Sequence, residues 1–554
     1  MNAFGTSFAE TTQAGEGAEA LLASSQSLRE LLSQEAVVSE ARCNSALRER
    51  LEEKLSELVA VVICEGPEST QMTVFVACEL LKSEDCLDMF ARNLGALHPV
   101  FTQLCATQEL NWTQAAYSSL ILRRLNSKYP SLIRSFLREQ PGYVSGLKRQ
   151  LHIRPVADLF LSLVADDTEC SDESIKGRFS LFKELLVMMD GKRWVGEVVG
   201  AGYVLREVMG RSAEMHGWGL FASFMLSKEC LDRFESAILS SVPLVLETAA
   251  AVLGRLLDYS DITGLLDSLD ATMDAIRSRS FEELPEVRST SYEEVPDVFS
   301  PSPLEDQAIA RLTRIVKAAI AALQTLPINS PVPTAFNLSI TPIGPERMAL
   351  IHLVNTALKL DQDSIQSAVS DSLYIQNMLI WFQSHPWNSA FHHEFEQLVR
   401  IVTDGRSQEL QKELFVKAGL VNVLLGEVER KETIRRGNWG HITRIGNAIY
   451  RISAVNEHIR EYLKDSNWSV FIENYLIPRN NLETAHIPGP SPLQVRSLPI
   501  ADEEEEAEFP TEPSKLLPLV SSDPEVEFKQ GSDVFNSLHY WTVPLSCEEL
   551  PDLA

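Results

Sequence analysis

Apolar positions along the chain recur at three-and-four spacing nearly from end to end, and sustained period-two alternation is absent. The pattern predicts helices over 28–62, 72–81, 84–104, 113–125, 132–137, 156–164, 179–189, 204–209, 231–257 and 262–276. It continues over 307–326, 348–360, 364–382, 390–402, 410–416, 420–434 and 439–463, with a short segment at 470–476. Connections are short and carry capping residues such as Asp363, Gly405 and Gly419. So many modest helices exceed what one bundle holds and predict stacking into an α-solenoid. No strict sequence period is present, so the expected fold is all-α, an irregular armadillo- or HEAT-like array.

Two stretches interrupt that array. Residues 278–306 are rich in Ser, Glu and Pro, and within Ser300-Pro301-Ser302-Pro303 they offer Ser300 and Ser302 as candidate phosphorylation sites. Residues 327–345 are rich in Pro, Asn and Thr. The expected organisation is a disordered 1–25, a first solenoid half over 26–277, a flexible loop over 278–306 and a second half over 307–476. An acidic, mostly disordered tail follows over 477–554. The tail includes Asp502-Glu503-Glu504-Glu505-Glu506 and cannot bury enough apolar surface to offset its ordering entropy. Within it, 534–541 (Val-Phe-Asn-Ser-Leu-His-Tyr-Trp) reads either as a linear docking segment or as a piece that folds back on the helices.

The densest local signal is Arg435-Arg436-Gly437-Asn438-Trp439-Gly440-His441-Ile442-Thr443-Arg444-Ile445-Gly446-Asn447. Gly437 is expected to close one helix in the left-handed conformation, and Asn438 to cap the next. From Ile442 the apolar stripe runs through Ile445, Ile449, Ile452, Val455, Ile459 and Leu463. On one continuous helix Arg444, Asn447, Arg451 and His458 share a sector roughly 60° wide. Arg435, Arg436, Arg444, Asn447 and Arg451 thus form a ridge with two readings. One is an ordinary solvated basic face; the other is an electrostatic docking patch, since arginine is favoured at interface hot spots. Upstream, Asn388 is placed to cap a helix, with Trp387 either stapled onto its first turns or touching a partner.

These segments resemble the SAPS-domain family, the regulatory subunits of protein phosphatase 6 and their yeast relatives. The resemblance rests first on the 435–447 run, which matches the family's closing motif. His385-Pro386-Trp387-Asn388-Ser389-Ala390-Phe391-His392 is similar to a second family motif. Leu28-Arg29-Glu30-Leu31-Leu32 and Val38-Ser39-Glu40-Ala41-Arg42-Cys43-Asn44 look like its opening helices, while 143–163 and 181–198 follow it in pattern more than identity. The likeness covers roughly 26–476. It implies a non-catalytic subunit that binds a serine/threonine phosphatase catalytic subunit of the phosphatase 6 type and directs it to substrates or a further scaffold subunit. Trp387, Asn388, Arg435, Arg436, His441, Arg444, Asn447 and Arg451 are then the candidate partner-binding residues. The competing reading is an armadillo/HEAT-like adaptor or transport scaffold without a phosphatase.

Charge and chemistry narrow the remaining classes. A net charge of −28 over 554 residues argues against a nucleic-acid binder. Eight scattered cysteines show no paired spacing and predict free thiols in a reducing compartment. Residues 1–25 lack a basic n-region and an apolar h-region, and the apolar stretch 242–257 is broken by Pro243, Glu247 and Arg255. Neither a targeting segment nor membrane insertion is expected, and the location expected is cytoplasmic or nuclear. His392-His393 diverge by about 100° on a helix, which opposes a shared metal. Gly200-Ala201-Gly202 reads as a turn with no preceding strand, so no dinucleotide loop is expected. Nucleotide, hydrolase and phosphatase metal-ligand motifs are missing, and the expectation is no catalysis, no cofactor and no metal.

Overall fold

The computed structural model describes residues 28–33, 37–63, 70–106, 110–165, 172–190, 192–211, 215, 218–258, 303–333, 339–430, 436–464 and 467–484. Contacts group the chain into two units, the first ending at Leu476 and the second beginning at Ile477. The described part of the second unit is one helix, Ile477–Thr484.

The first unit is an all-α solenoid of irregular, armadillo/HEAT-like type. One row of helices runs Gln71–Leu81, Trp112–Lys128, Arg154–Ala165, Val195–Gly210, Pro243–Leu257, Pro345–Leu358, Ser389–Asp404 and Trp439–Val455, each packed on the next. A second row runs through Lys228–Ile238, Pro303–Thr325, Asp363–Ser370, Gln408–Lys412 and Glu457–Lys464 in the same way. The core is therefore a continuous apolar seam along the array, each repeat burying its face on a neighbour. Local chemistry sets the helix starts. Asn44, Thr70, Asn111, Asn388 and Ser407 accept hydrogen bonds from first-turn amides. Pro130, Pro141, Pro243 and Pro345 open helices where the missing N–H costs nothing.

Several long sequence patterns resolve into shorter helices. The 28–62 pattern divides into Leu28–Leu32, Val37–Cys43, Ser45–Glu53 and Leu55–Val62. The 84–104 pattern breaks at Asn93 into Glu84–Arg92 and, after a 3₁₀ turn, Leu97–Leu104. The 231–257 pattern breaks before Pro243, and 364–382 breaks at Asp371. Trp439–Leu463 breaks at Asn456, whose extended backbone ends one helix and whose side chain accepts from Ile459 N at 3.2 Å. The helices Pro141–Arg149 and Trp218–Met225 are additional to the expectation. The Pro303–Thr325 helix begins inside the expected flexible loop; Ser300, Ser302 and the expected 262–276 helix lie outside the described residues. Asp363 is the first residue of its helix and Gln362 holds the cap position.

A two-residue antiparallel ladder, Val332 with Ile340 and Pro333 with Ser339, lies in the 327–345 stretch, where only irregular chain is expected. Arg347 fastens this stretch by donating to Ile343 O (3.3 Å), Leu326 O (2.7 Å) and Pro327 O (2.9 Å). Gly200 and Gly202 are not a turn but the interior of the Val195–Gly210 helix. A Cβ on Gly200 would fall 2.3 Å from Leu151 O, and one on Gly202 would fall 2.0 Å from Thr248 Cγ2. Glycine is there so that neighbouring helices can touch. No described helix is long and apolar enough to cross a membrane.

Candidate functional site

The two motifs that stand out in the sequence are brought together at one corner. The helices Ser389–Asp404 and Trp439–Val455 are neighbours in the first row, and the segments leading into them lie against each other. A Cβ on Gly437 would sit 3.1 Å from Pro386 O and 3.6 Å from Trp387 Cε3, so the glycine admits the Pro386-Trp387 backbone. Its role is close approach, not the expected left-handed turn; Gly419 holds that conformation, with φ 68°. Asn438 likewise does not cap through its side chain, which donates to Glu427 Oε2 at 3.1 Å.

Glu427 is fully buried, and its partners explain much of the expected ridge. Arg436 Nη1 donates to Glu427 Oε2 at 3.0 Å and to Gln383 O at 3.2 Å, with only 12% of its side chain exposed. Arg430 adds a 3.2 Å contact to Oε1. Arg436 thus serves Glu427 as a counterion, with little of its side chain exposed. Arg435 lies outside the described residues.

A second buried carboxylate, Glu396, sits one layer along. His441 Nδ1 and Arg444 Nε each approach its Oε2 at 2.9 Å, and Arg400 Nη2 donates to Oε1 at 2.7 Å. Burial alone would raise the Glu396 pKa, but His441, Arg444 and Arg400 outweigh it and hold the carboxyl below its usual value. His392 is fully buried, its ring 5.4 Å from that of His441, and its Nε2 donates to His385 O at 2.8 Å. Burial and neighbouring His441 press its pKa down to about 4. Asn355 Nδ2 donates to Glu394 at 2.8 Å and His352 Nδ1 lies 3.0 Å from it, while Tyr374 donates to Asn355 Oδ1 at 2.9 Å. Glu413, also buried, pairs with Lys417 at 2.6 Å and accepts from Gln376. Among the described residues no group of three His, Cys, Asp or Glu is placed to hold a metal.

The candidate residues therefore divide. Asn388 caps its helix, accepting from Phe391 N at 3.0 Å. His441 and Arg436 are interior. Trp387 is 40% exposed, with the rest of its surface covered, and Leu373 and Ile380 are exposed as well. Arg444 and Arg451 face solvent, Asn447 is half-buried, and Arg451 Nε donates to Asn447 O at 3.3 Å. His458 leaves the expected sector because the helix breaks at Asn456. The apolar stripe holds through Ile442, Ile445 and Ile449 and resumes at Ile459 and Leu463, while Val455 at the break is 79% exposed. Sequence reasoning assigned no buried, cation-binding role to Glu394, Glu396, Glu413 or Glu427. The available signal was a carboxylate in a buried stripe: Glu396 follows His392 by four residues and precedes Arg400 by four.

Residues 362–485, which contain this corner, match the family described as SAPS, SIT4 phosphatase-associated protein. Over 515 residues, 83% of this chain, the sequence is 22% identical to serine/threonine-protein phosphatase 6 regulatory subunit 3 of Gallus gallus. The chain spans about half, 56%, of that relative's length. Among solved structures, an engineered protein aligns over 79% of this chain and 98% of its own at 12% identity and a TM-score of 0.29. SYS-1 aligns over 82% of this chain and 86% of its own, with 12% identity and a TM-score of 0.27.

Proposed function

We propose that the chain is a divergent member of the SAPS-domain family, a non-catalytic regulatory subunit that binds a phosphatase 6-type serine/threonine phosphatase catalytic subunit. On this reading it directs that enzyme to substrates or to a further scaffold subunit, in the cytoplasm or nucleus. The observation that carries the reading is that the family match, residues 362–485, encloses the corner where both motifs meet. Those residues are invested in fixing one shape, through buried carboxylates and their donors, as a rigid docking surface requires. Trp387, Leu373 and Ile380 are among the exposed large apolar side chains of this region, at 40%, 60% and 56%, as is Tyr450 on the neighbouring helix at 57%. Leu373 and Ile380 lie seven residues apart, which puts them on one face across two turns. Large exposed apolar groups of this kind supply the anchors of protein interfaces.

The test is co-purification of a phosphatase 6-type catalytic subunit with the full chain and with a chain ending at 485. Both are expected to retain it, and Trp387→Ala with Ile380→Ser is expected to weaken it ~10-fold or more, the loss typical of an aromatic anchor. A folded full-length chain that captures no phosphatase would return the protein to the adaptor class.

A further inference from the structure

Glu396 has more cationic partners than one buried carboxylate needs. A single guanidinium would keep it charged, yet Arg444, Arg400 and His441 all converge on its two oxygens, at 2.9, 2.7 and 2.9 Å. Two guanidiniums on one carboxyl group are held close together, and they come from adjacent helices of the first row. Both remain open to water, with side-chain exposures of 42% for Arg400 and 54% for Arg444. The pair therefore carries a surplus positive charge; Arg444 Nη2 also donates to His441 Nδ1 at 2.9 Å. Arg451 lies seven residues beyond Arg444, about 10 Å along the same helix face. It makes no ion pair among the described residues; its Nε donates to Asn447 O. Cations left in surplus side by side are unexpected in a chain of net charge −28. The companion site differs: Arg436 at Glu427 is only 12% exposed and offers nothing to a ligand.

We propose that Arg400 and Arg444, pre-positioned by Glu396, receive the phosphoryl group of a phosphoserine or phosphothreonine peptide, with Arg451 contacting its flank. Guanidinium forks pair bidentately with phosphate oxygens, and a fork already fixed by a buried carboxylate loses less freedom on binding. A dianion matches a compact cluster of this size. An extended polyanion such as RNA does not, because the acidic remainder of the chain repels it. The inference rests on the regulatory reading above and gives it a substrate class: the subunit would hold a phosphorylated segment for the enzyme it carries.

The experiment uses the full chain and a fluorescent decapeptide library with a central phosphoserine, its unphosphorylated counterpart, inorganic phosphate and inositol hexakisphosphate. Fluorescence anisotropy is expected to show the phosphorylated library binding ~10-fold or more tighter, with inorganic phosphate competing at high concentration. Arg444→Gln leaves Glu396 its other two partners, so the fold persists while phosphopeptide affinity falls ~10-fold; Arg444→Lys recovers only part. Arg451→Gln, which touches no buried group, lowers affinity by a smaller factor and weakens its salt dependence. Equal affinity for both libraries overturns the proposal, as does unchanged binding by folded Arg444→Gln and Arg451→Gln. Inositol hexakisphosphate binding without phosphopeptide binding overturns the peptide assignment. Phosphatase co-purification is scored on the same variants. Phosphopeptide binding without any phosphatase refutes the regulatory reading alone, and phosphatase retained without phosphopeptide preference refutes this inference alone.

Discussion

Four glutamates, Glu394, Glu396, Glu413 and Glu427, are carried into or against the packed interior, and each brings its own donors with it. A buried carboxylate that loses its cation leaves an uncompensated charge, a far larger penalty than loss of an exposed pair. Arg436→Glu would place a second carboxylate against Glu427 and is expected to destabilise the corner by about 3–5 kcal/mol. Arg451→Glu, on the surface, is expected to stay within about 0.5 kcal/mol. Thermal melts of the two single variants check this, and equal midpoints would mean that Arg436 is not an interior counterion. His392 supplies a pH dependence. Its folded pKa, about 4, lies below the ordinary value of 6.5, so its contribution is complete above pH 6.5. As pH falls from 6.5 toward 4 the unfolded chain takes up the proton first, and stability drops by up to about 1.4 kcal/mol per pH unit. Glu396, held below its ordinary value, loses its contribution in the same direction but at lower pH. Between pH 7.5 and 5.5 the wild-type melting midpoint should therefore fall further than that of His392→Gln. Parallel slopes would show that this histidine is not buried neutral.

At the scale of elements, helical periodicity exposed most of the array, and its over-long helices share one cause. A three-and-four pattern continues across a break whenever the residues on both sides face the same core. Ile449 and Ile459 are both fully buried although Asn456 separates their helices. Likewise Leu246 and Leu231 belong to one seam on two helices parted before Pro243. The site was half legible. Its motifs are local, so Trp387, Asn388 and the 435–447 run were visible in the chain, but the glutamates that bind them arrive from other helices. Arg436 and Glu427 are nine residues apart, and His441 and Glu396 are separated by 45. Gly200 was misread because a glycine pair signals a turn locally and close packing only in three dimensions. Gly200→Ala would drive a methyl group into the Leu151 carbonyl, 2.3 Å away, and is expected to destabilise despite alanine's better helix propensity. A cost of about 1–3 kcal/mol, read from denaturant melts, is the overpacking range. A stabilised variant would mean that these helices are not in contact.

For the first unit as a whole, the decisive question is whether the array is continuous across residues 259–302. The structure makes both rows continuous there. Pro243–Leu257 packs directly on Pro345–Leu358, where a Cβ on Gly254 would lie 3.0 Å from His352 Cδ2. Asp258 accepts from Lys359 at 2.6 Å across the same junction. In the other row Lys228–Ile238 meets Pro303–Thr325, with Arg311 3.1 Å from Asp232 and Arg314 2.6 Å from Glu235. The ion pairs are exposed or half-exposed and contribute little each. The apolar seam, including Val252, Leu253, Leu256, Ile315, Leu350 and Leu353, all at most 1% exposed, carries the junction. Nearest-neighbour packing in a solenoid does not require the covalent link once the faces are buried. A protease site engineered between residues 281 and 290 and cleaved in the native protein should therefore leave the two fragments co-eluting on size exclusion. Gly254→Leu, which wedges the first-row junction apart, should make the cleaved fragments separate while the uncleaved variant stays in one piece. Fragments that part without that substitution would show two independent arrays joined only by a tether, and the long seam would not be one core.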